Sequence, residues 1–163
     1  MLIYKMLIIP LMLVIWLMMY TEQLDHELSM KAYYKGKQAV NRGAHAGALQ
    51  LEEQQLSEGI FAIDPEMAYQ MATEYLYANL QLDQSGNPTS QSYLRERVEI
   101  LHFEVLDASL TYPFEYSLSE YGYSTTFDRP AVVIVIRMKY PRIFSSNNPV
   151  EWNIIGNSQL VFQ

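Results

Sequence analysis

His102 stands between Glu99 and Glu104 in a run of strand-forming residues, and a histidine beside a carboxylate is the start of a metal site or an acid–base pair. Alternation along a strand puts His102 and Glu104 on one face and Glu99 on the other, so one carboxylate shares a side with the imidazole. Zinc or hydrolytic chemistry needs a third partner at fixed spacing. The other two histidines, His26 and His45, match no ligand motif, and no G-x-S-x-G, H-E-x-x-H, G-x-x-x-x-G-K or G-x-G-x-x-G occurs. The chain has no cysteine, which removes disulfides, thiol catalysis and thiolate metal centres. Arg95 and Arg97, beside Glu96 and Glu99, read as a solvated charge cluster rather than an anion site. The expectation is a protein that is not an enzyme and uses no metal and no other cofactor.

Eleven Lys and Arg against 18 Asp and Glu leave a formal charge of −7, which works against neutralising phosphates, so no nucleic-acid partner is expected. At 163 residues the chain has room for one anchor and one domain with a real core.

The elements that would position any site begin with an apolar run. Residues 6–20, MLIIPLMLVIWLMMY, carry no charge, and about 20 helical residues cross a bilayer core. Trp16 and Tyr20 toward one end and Tyr4 at the other make a rough aromatic belt, and Pro10 falls early enough in the helix to be tolerated. A cleaved export signal is the competing reading, with Lys5 as its basic region, but no small-x-small site follows the run. The membrane anchor, with Pro10, Trp16 and Tyr20 as its marker residues, is assigned to 1–20. Lys5 and the terminal amine favour the N-terminus inside and the head outside the cell membrane, against Lys31, Lys35, Lys37 and Arg42 beyond the span.

Residues 21–56 contain no proline and suit a continuing helix, so 21–58 read as a helical stalk stopped by Ser57, Glu58 and Gly59. Glu27 and Lys31 are set for an i,i+4 pair. Gly36, Gly43 and Gly47 each cost a helix up to ~1 kcal/mol relative to Ala, which calls for close packing. With Val40 and Ala44 they mark a packing face, either against the chain's own domain or as a helix–helix assembly surface for homo- or hetero-oligomers.

A head at 59–163 follows. Residues 60–63 read as a short strand, and Asp64-Pro65 as a helix start with an N-cap Asp and Pro at the first position. That helix carries Ala68, Met71, Ala72, Tyr75, Leu76 and Leu80 on one face and should end near Leu82. Residues 83–92 form a polar loop and the best candidate for a mobile segment. Strands are expected at 98–106, 131–140 and 151–162, with Gly156 as a bulge in the last. Residues 111–129 form a hairpin or an irregular loop. Their tyrosines, Tyr112, Tyr116, Tyr121 and Tyr123, offer either a partner surface or ordinary hairpin packing. The fold class is α+β: a long N-terminal helix, half transmembrane and half amphipathic, with a head of one helix on an antiparallel sheet.

An apolar helix extended by a polar half and followed by a small α+β head resembles the pilins and pseudopilins. The run Ala39-Val40-Asn41-Arg42-Gly43-Ala44-His45-Ala46-Gly47-Ala48-Leu49-Gln50-Leu51 is similar to the segment after the anchor in tight-adherence (TadE-type) pilus proteins. Lys5 runs directly into Met6 and the first acid, Glu22, comes after the span, unlike the processing site of type IV-like precursors. The resemblance thus implies a minor, anchored component of a pilus-like or secretion system, with the lipid bilayer and other pilin-like or membrane-platform proteins as partners. The alternative is a membrane-tethered extracellular ligand-binding or sensor domain, with its site at the tyrosines or the 83–92 loop.

Overall fold

The computed structural model describes residues 2–144 and 148–161. Helix α1 runs unbroken from Leu2 to Ala48, about 70 Å at 1.5 Å per residue, and passes through Pro10. It stops eight residues short of the expected Leu56, although Leu51 to Leu56 are good helix formers. Leu51 instead bridges Ile63, while Glu52 donates its N–H to Ala62 and Asp64 donates to Gln50. That pairing draws 50–52 out of the helix, and one short turn, α2 (Glu53–Ser57), precedes Gly59 at φ +79°. The expected 60–63 strand reduces to the single bridge at Ile63.

Helix α3 (Pro65–Leu80) starts as its sequence dictates. The Asp64 carboxylate accepts the Glu66 and Met67 N–H groups at 2.9 and 3.0 Å, and Pro65 takes the first position. Gln81, at φ 57°, ends it in the left-handed conformation. Ala68, Ala72, Leu76 and Leu80 are buried, whereas Tyr75 is exposed. The 83–92 segment, expected as a polar loop, carries hydrogen bonds of its own. The Asp83 carboxylate accepts the Ser85 and Asn87 N–H groups, and Ser92 donates its hydroxyl to Leu80.

The sheet is antiparallel in the order β1 (Glu99–Leu106), β4 (Ala131–Tyr140), β5 (Val150–Gln159). Phe162, at the end of the last expected strand, lies outside the described residues. β2 (Phe114–Leu118) and β3 (Tyr123–Phe127) form a separate ribbon, turned by Ser119–Tyr121 and by Gly122 at φ 60°. Val132, Ile134, Ile136 and Met138 face the helices, while Ala131 and Val133 face the ribbon. The head is therefore layered as helices, sheet and ribbon. Arg137 and Lys139, beyond the ribbon, are the half-exposed positions of an otherwise buried β4, the solvated end that its residue alternation implies.

Gly156 pairs regularly with Ile134 and is not a bulge; the irregularity lies in β1, between Ile100 and His102. Gly156 is where α1 touches the sheet, since a Cβ there would stand 2.4 Å from Val40 Cγ1 and 2.8 Å from its backbone carbonyl carbon. α1 lies along β5. Tyr33 meets Trp152 with ring centroids 5.7 Å apart, Gly36 meets Ile154, Val40 meets Gly156, and His45 Nδ1 lies 3.3 Å from Ser158 Oγ. Both numbers rise together, so helix and strand run the same way and the start of β5 lies toward the apolar end of α1.

Candidate functional site

Every described side chain from Tyr4 to Tyr20 is exposed, from 46 % at Tyr20 to 74 % at Tyr4. Soluble proteins rarely leave a contiguous apolar surface of this extent in water. Among the described residues α1 is the one helix long and apolar enough to cross a membrane, with a mean hydropathy of 1.7 over a window of which none is buried. Residues 2–20 measure about 28 Å, close to the ~30 Å of a hydrocarbon core. Pro10 sits within the span without ending it. Trp16 and Tyr20, one turn apart, stack at 5.6 Å and 10° at the end nearer the head, a position suited to interfacial rings. α1 is therefore a candidate single span.

The packing face on the rod is turned inward. Gly36, Val40, Gly43, Ala44 and Gly47 are all buried in the head. A Cβ on Gly43 would stand 2.8 Å from the Ala72 carbonyl oxygen, and one on Gly47 2.9 Å from that of Ala68, so α1 and α3 approach backbone to backbone. At Gly36 the neighbours are the flexible ends of Met138 and Ile154. Of the two readings of this face, the contacts are those of packing against the chain's own domain, since residues 28–48 supply one wall of the core. The small side chains serve contact within the chain.

The tyrosines also point home. Tyr116 is 7 % exposed and donates its hydroxyl to Glu104 at 2.5 Å. Tyr112 donates to the carbonyls of Leu106 and Asp107, and Tyr123 accepts from Asn157 Nδ2 at 2.7 Å. Burial raises all three phenols above their ordinary pKa, with Glu104 adding to the effect at Tyr116 and Asp107 at Tyr112. Tyr121 lies half-buried in the ribbon turn. Three of the four candidate partner-surface residues thus fasten the ribbon to the sheet.

His102 and Glu104 do share a face, as alternation requires, with Nε2 3.0 Å from Oε2 and 3.1 Å from the Tyr116 hydroxyl. Such a cluster can pass a proton among its members, yet its observed role is to join β1 to β2. Among the described residues no three His, Asp or Glu side chains are grouped to hold a metal ion. His26 and His45 are exposed on α1. Arg95 and Arg97 are exposed, and the acids beside them pair across the sheet, Glu96 with Lys139 at 3.3 Å and Glu99 with Arg137 at 3.4 Å. Glu96 and Glu151 raise the Lys139 pKa.

One contact was not read from the sequence. Asp25, 1 % exposed, accepts the backbone N–H groups of Ile143 and Phe144 at 2.8 and 3.0 Å, across 118 and 119 residues. Compared with family models, curated proteins and solved structures, the chain finds no match in any of the three. The signal that could have found Asp25 is its place on the stripe 25, 29, 32, 36, whose other members, Ser29, Ala32 and Gly36, are all buried.

Proposed function

We propose that the chain is a non-enzymatic structural or assembly component of a pilus-like or secretion system, a minor pseudopilin-type subunit anchored by its N-terminal helix. The observation that carries this reading is the division of α1, one unbroken helix in which residues 6–20 are apolar and exposed and the last 24, residues 25–48, are built into an α+β head. That arrangement suits a subunit whose span packs beside other helices in the bilayer while its head is presented at the surface. The TadE-like resemblance of residues 39–51 supports the same assignment. With the small-residue stripe engaged inside the head, the surface left for partners on α1 is the span itself, around Pro10 and Trp16. We read the head as lying outside, with the N-terminus in, on the basic residue Lys5 ahead of the apolar run, against Lys31, Lys35, Lys37 and Arg42 beyond it.

A tethered ligand-binding or sensor domain draws less support, since Tyr112, Tyr116 and Tyr123 are engaged within the fold. The deciding experiment is photo-crosslinking from the span, with a photoreactive residue at Leu13 of the full chain in native membranes. Adducts with pilin-like or polytopic membrane proteins are expected. Adducts with lipid alone would remove the assembly role.

A further inference from the structure

We propose a second membrane contact: Ile143 and Phe144, held by Asp25, insert into the headgroup layer of the same leaflet through which α1 leaves the bilayer. This rests on α1 being a membrane span. Asp25 lies five residues beyond Tyr20, about 7.5 Å along the helix axis. A bilayer of about 40–45 Å with a ~30 Å core has an interfacial layer of about 5–7.5 Å on each side. The Asp25 carboxylate therefore sits at the outer edge of that layer, and the backbone of Ile143 and Phe144 lies within hydrogen-bond reach of it, at 2.8 and 3.0 Å.

The topology brings the same residues down independently. Strand β5 ascends alongside α1, Trp152 beside Tyr33 and Ser158 beside His45, so the end of β4 at Tyr140 and the start of β5 at Val150, which pair with each other, lie at the membrane end of the head. Ile143 and Phe144 are 59 % and 52 % exposed, two large apolar side chains adjacent in sequence with no place in either core cluster. In water their exposure is unfavourable, whereas at a lipid interface an aromatic and a branched aliphatic side chain are at home. The occupant is the bilayer rather than another protein, because Asp25 holds the patch about 7.5 Å beyond Tyr20, where α1 leaves the bilayer. A helix alone leaves the head free to tilt and swivel; a second contact one turn above it fixes how the head stands on the membrane.

The absence of cysteine makes the test direct. Three single-cysteine forms of the full chain, Phe144→Cys, Leu13→Cys and Gln54→Cys, are labelled with an environment-sensitive fluorophore. They are reconstituted in phosphatidylcholine vesicles containing lipids spin-labelled either near the headgroup or deep in the acyl chain. The expected result is loss of emission at position 144 with the shallow quencher, loss at 13 with the deep one, and none at 54. Loss at 13 with position 144 as bright as 54 would overturn the second contact and leave the anchor standing. No loss at 13 would overturn both. Adding Asp25→Ala to the Phe144→Cys form is expected to diminish the shallow quenching at 144 while leaving the deep quenching of the Leu13 label intact.

Discussion

The two halves of α1 share one backbone conformation and differ in what covers them. From Tyr4 to Tyr20 every described side chain is exposed, while from Asp25 to Ala48 a stripe of Asp, Ser, Ala, Gly and Val is buried. The residues explain the difference. The first half is apolar on all faces, so no orientation in water covers it and it needs an apolar solvent. The second half alternates small residues with Lys31, Lys35, Arg42 and other polar side chains, so one face closes against Ala68, Ala72 and Gly156 while the opposite face stays wet. Helix formation is indifferent between the halves; side-chain volume and polarity decide which is left bare and which becomes core.

The sharpest way to break this contrast is to enlarge one residue in each half. Gly156→Val is expected to cost the head about 3 kcal/mol or more, since the added carbons meet the Val40 backbone, which cannot step aside. Val14→Leu, on the bare half, should leave stability within about 0.5 kcal/mol. Denaturant unfolding in detergent micelles measures both. Gly43→Leu and Gly47→Leu come next, at about 1–3 kcal/mol each and less than additive, because both press on the same stretch of α3. If partner recovery from membranes fell while unfolding stayed unchanged, the inward assignment of this face would be wrong. Asp25→Ala, at the junction, leaves the Ile143 and Phe144 N–H groups without their acceptor, for about 1–3 kcal/mol, and amide hydrogen exchange at those two positions should accelerate.

The parts legible in the sequence were those decided locally. Asp64-Pro65 carries its own capping chemistry, and 131–140 carries enough Val and Ile to be a strand whatever it pairs with, so both begin where expected. The bare apolar helix was legible for the same reason, because hydrophobicity over 15 residues needs no partner. Where a long-range partner decided, local reasoning went astray. The helix end moved to Ala48 because Leu51 pairs with Ile63, a contact that propensity cannot see. The glycines announced close packing without naming what approached, and Gly156 looked like a bulge because its helix neighbour lies 116 residues away. For Tyr116 the sequence offers both a partner surface and hairpin packing, and the choice turns on Glu104 and His102, which stand opposite it.

The smallest predicted effect separates the halves by pH. Tyr93 packs beside the buried half of α1, with Lys35 Nζ 5.2 Å from its ring centroid, and its phenol is buried without a hydrogen-bond partner among the described residues. Burial, reinforced by Tyr140, raises its pKa from 10 to about 12. In the unfolded chain the phenol ionises near 10, while the folded head holds its proton until about 12. The folded state therefore binds more protons in that window, and stability present below pH 10 is lost as pH rises toward 12. By pH 11 the loss from this residue is about 1 kcal/mol, added to losses from the other raised tyrosines of the head. Tyr93→Phe should leave the melting temperature at pH 7 unchanged or slightly higher, because an unpartnered hydroxyl has been removed from the interior. Its melting temperature should then fall less steeply than that of the parent between pH 10 and 11. Equal slopes for the two proteins would mean that Tyr93 is solvated in the folded state and that this side of α1 is less closed than the contacts around Lys35 imply.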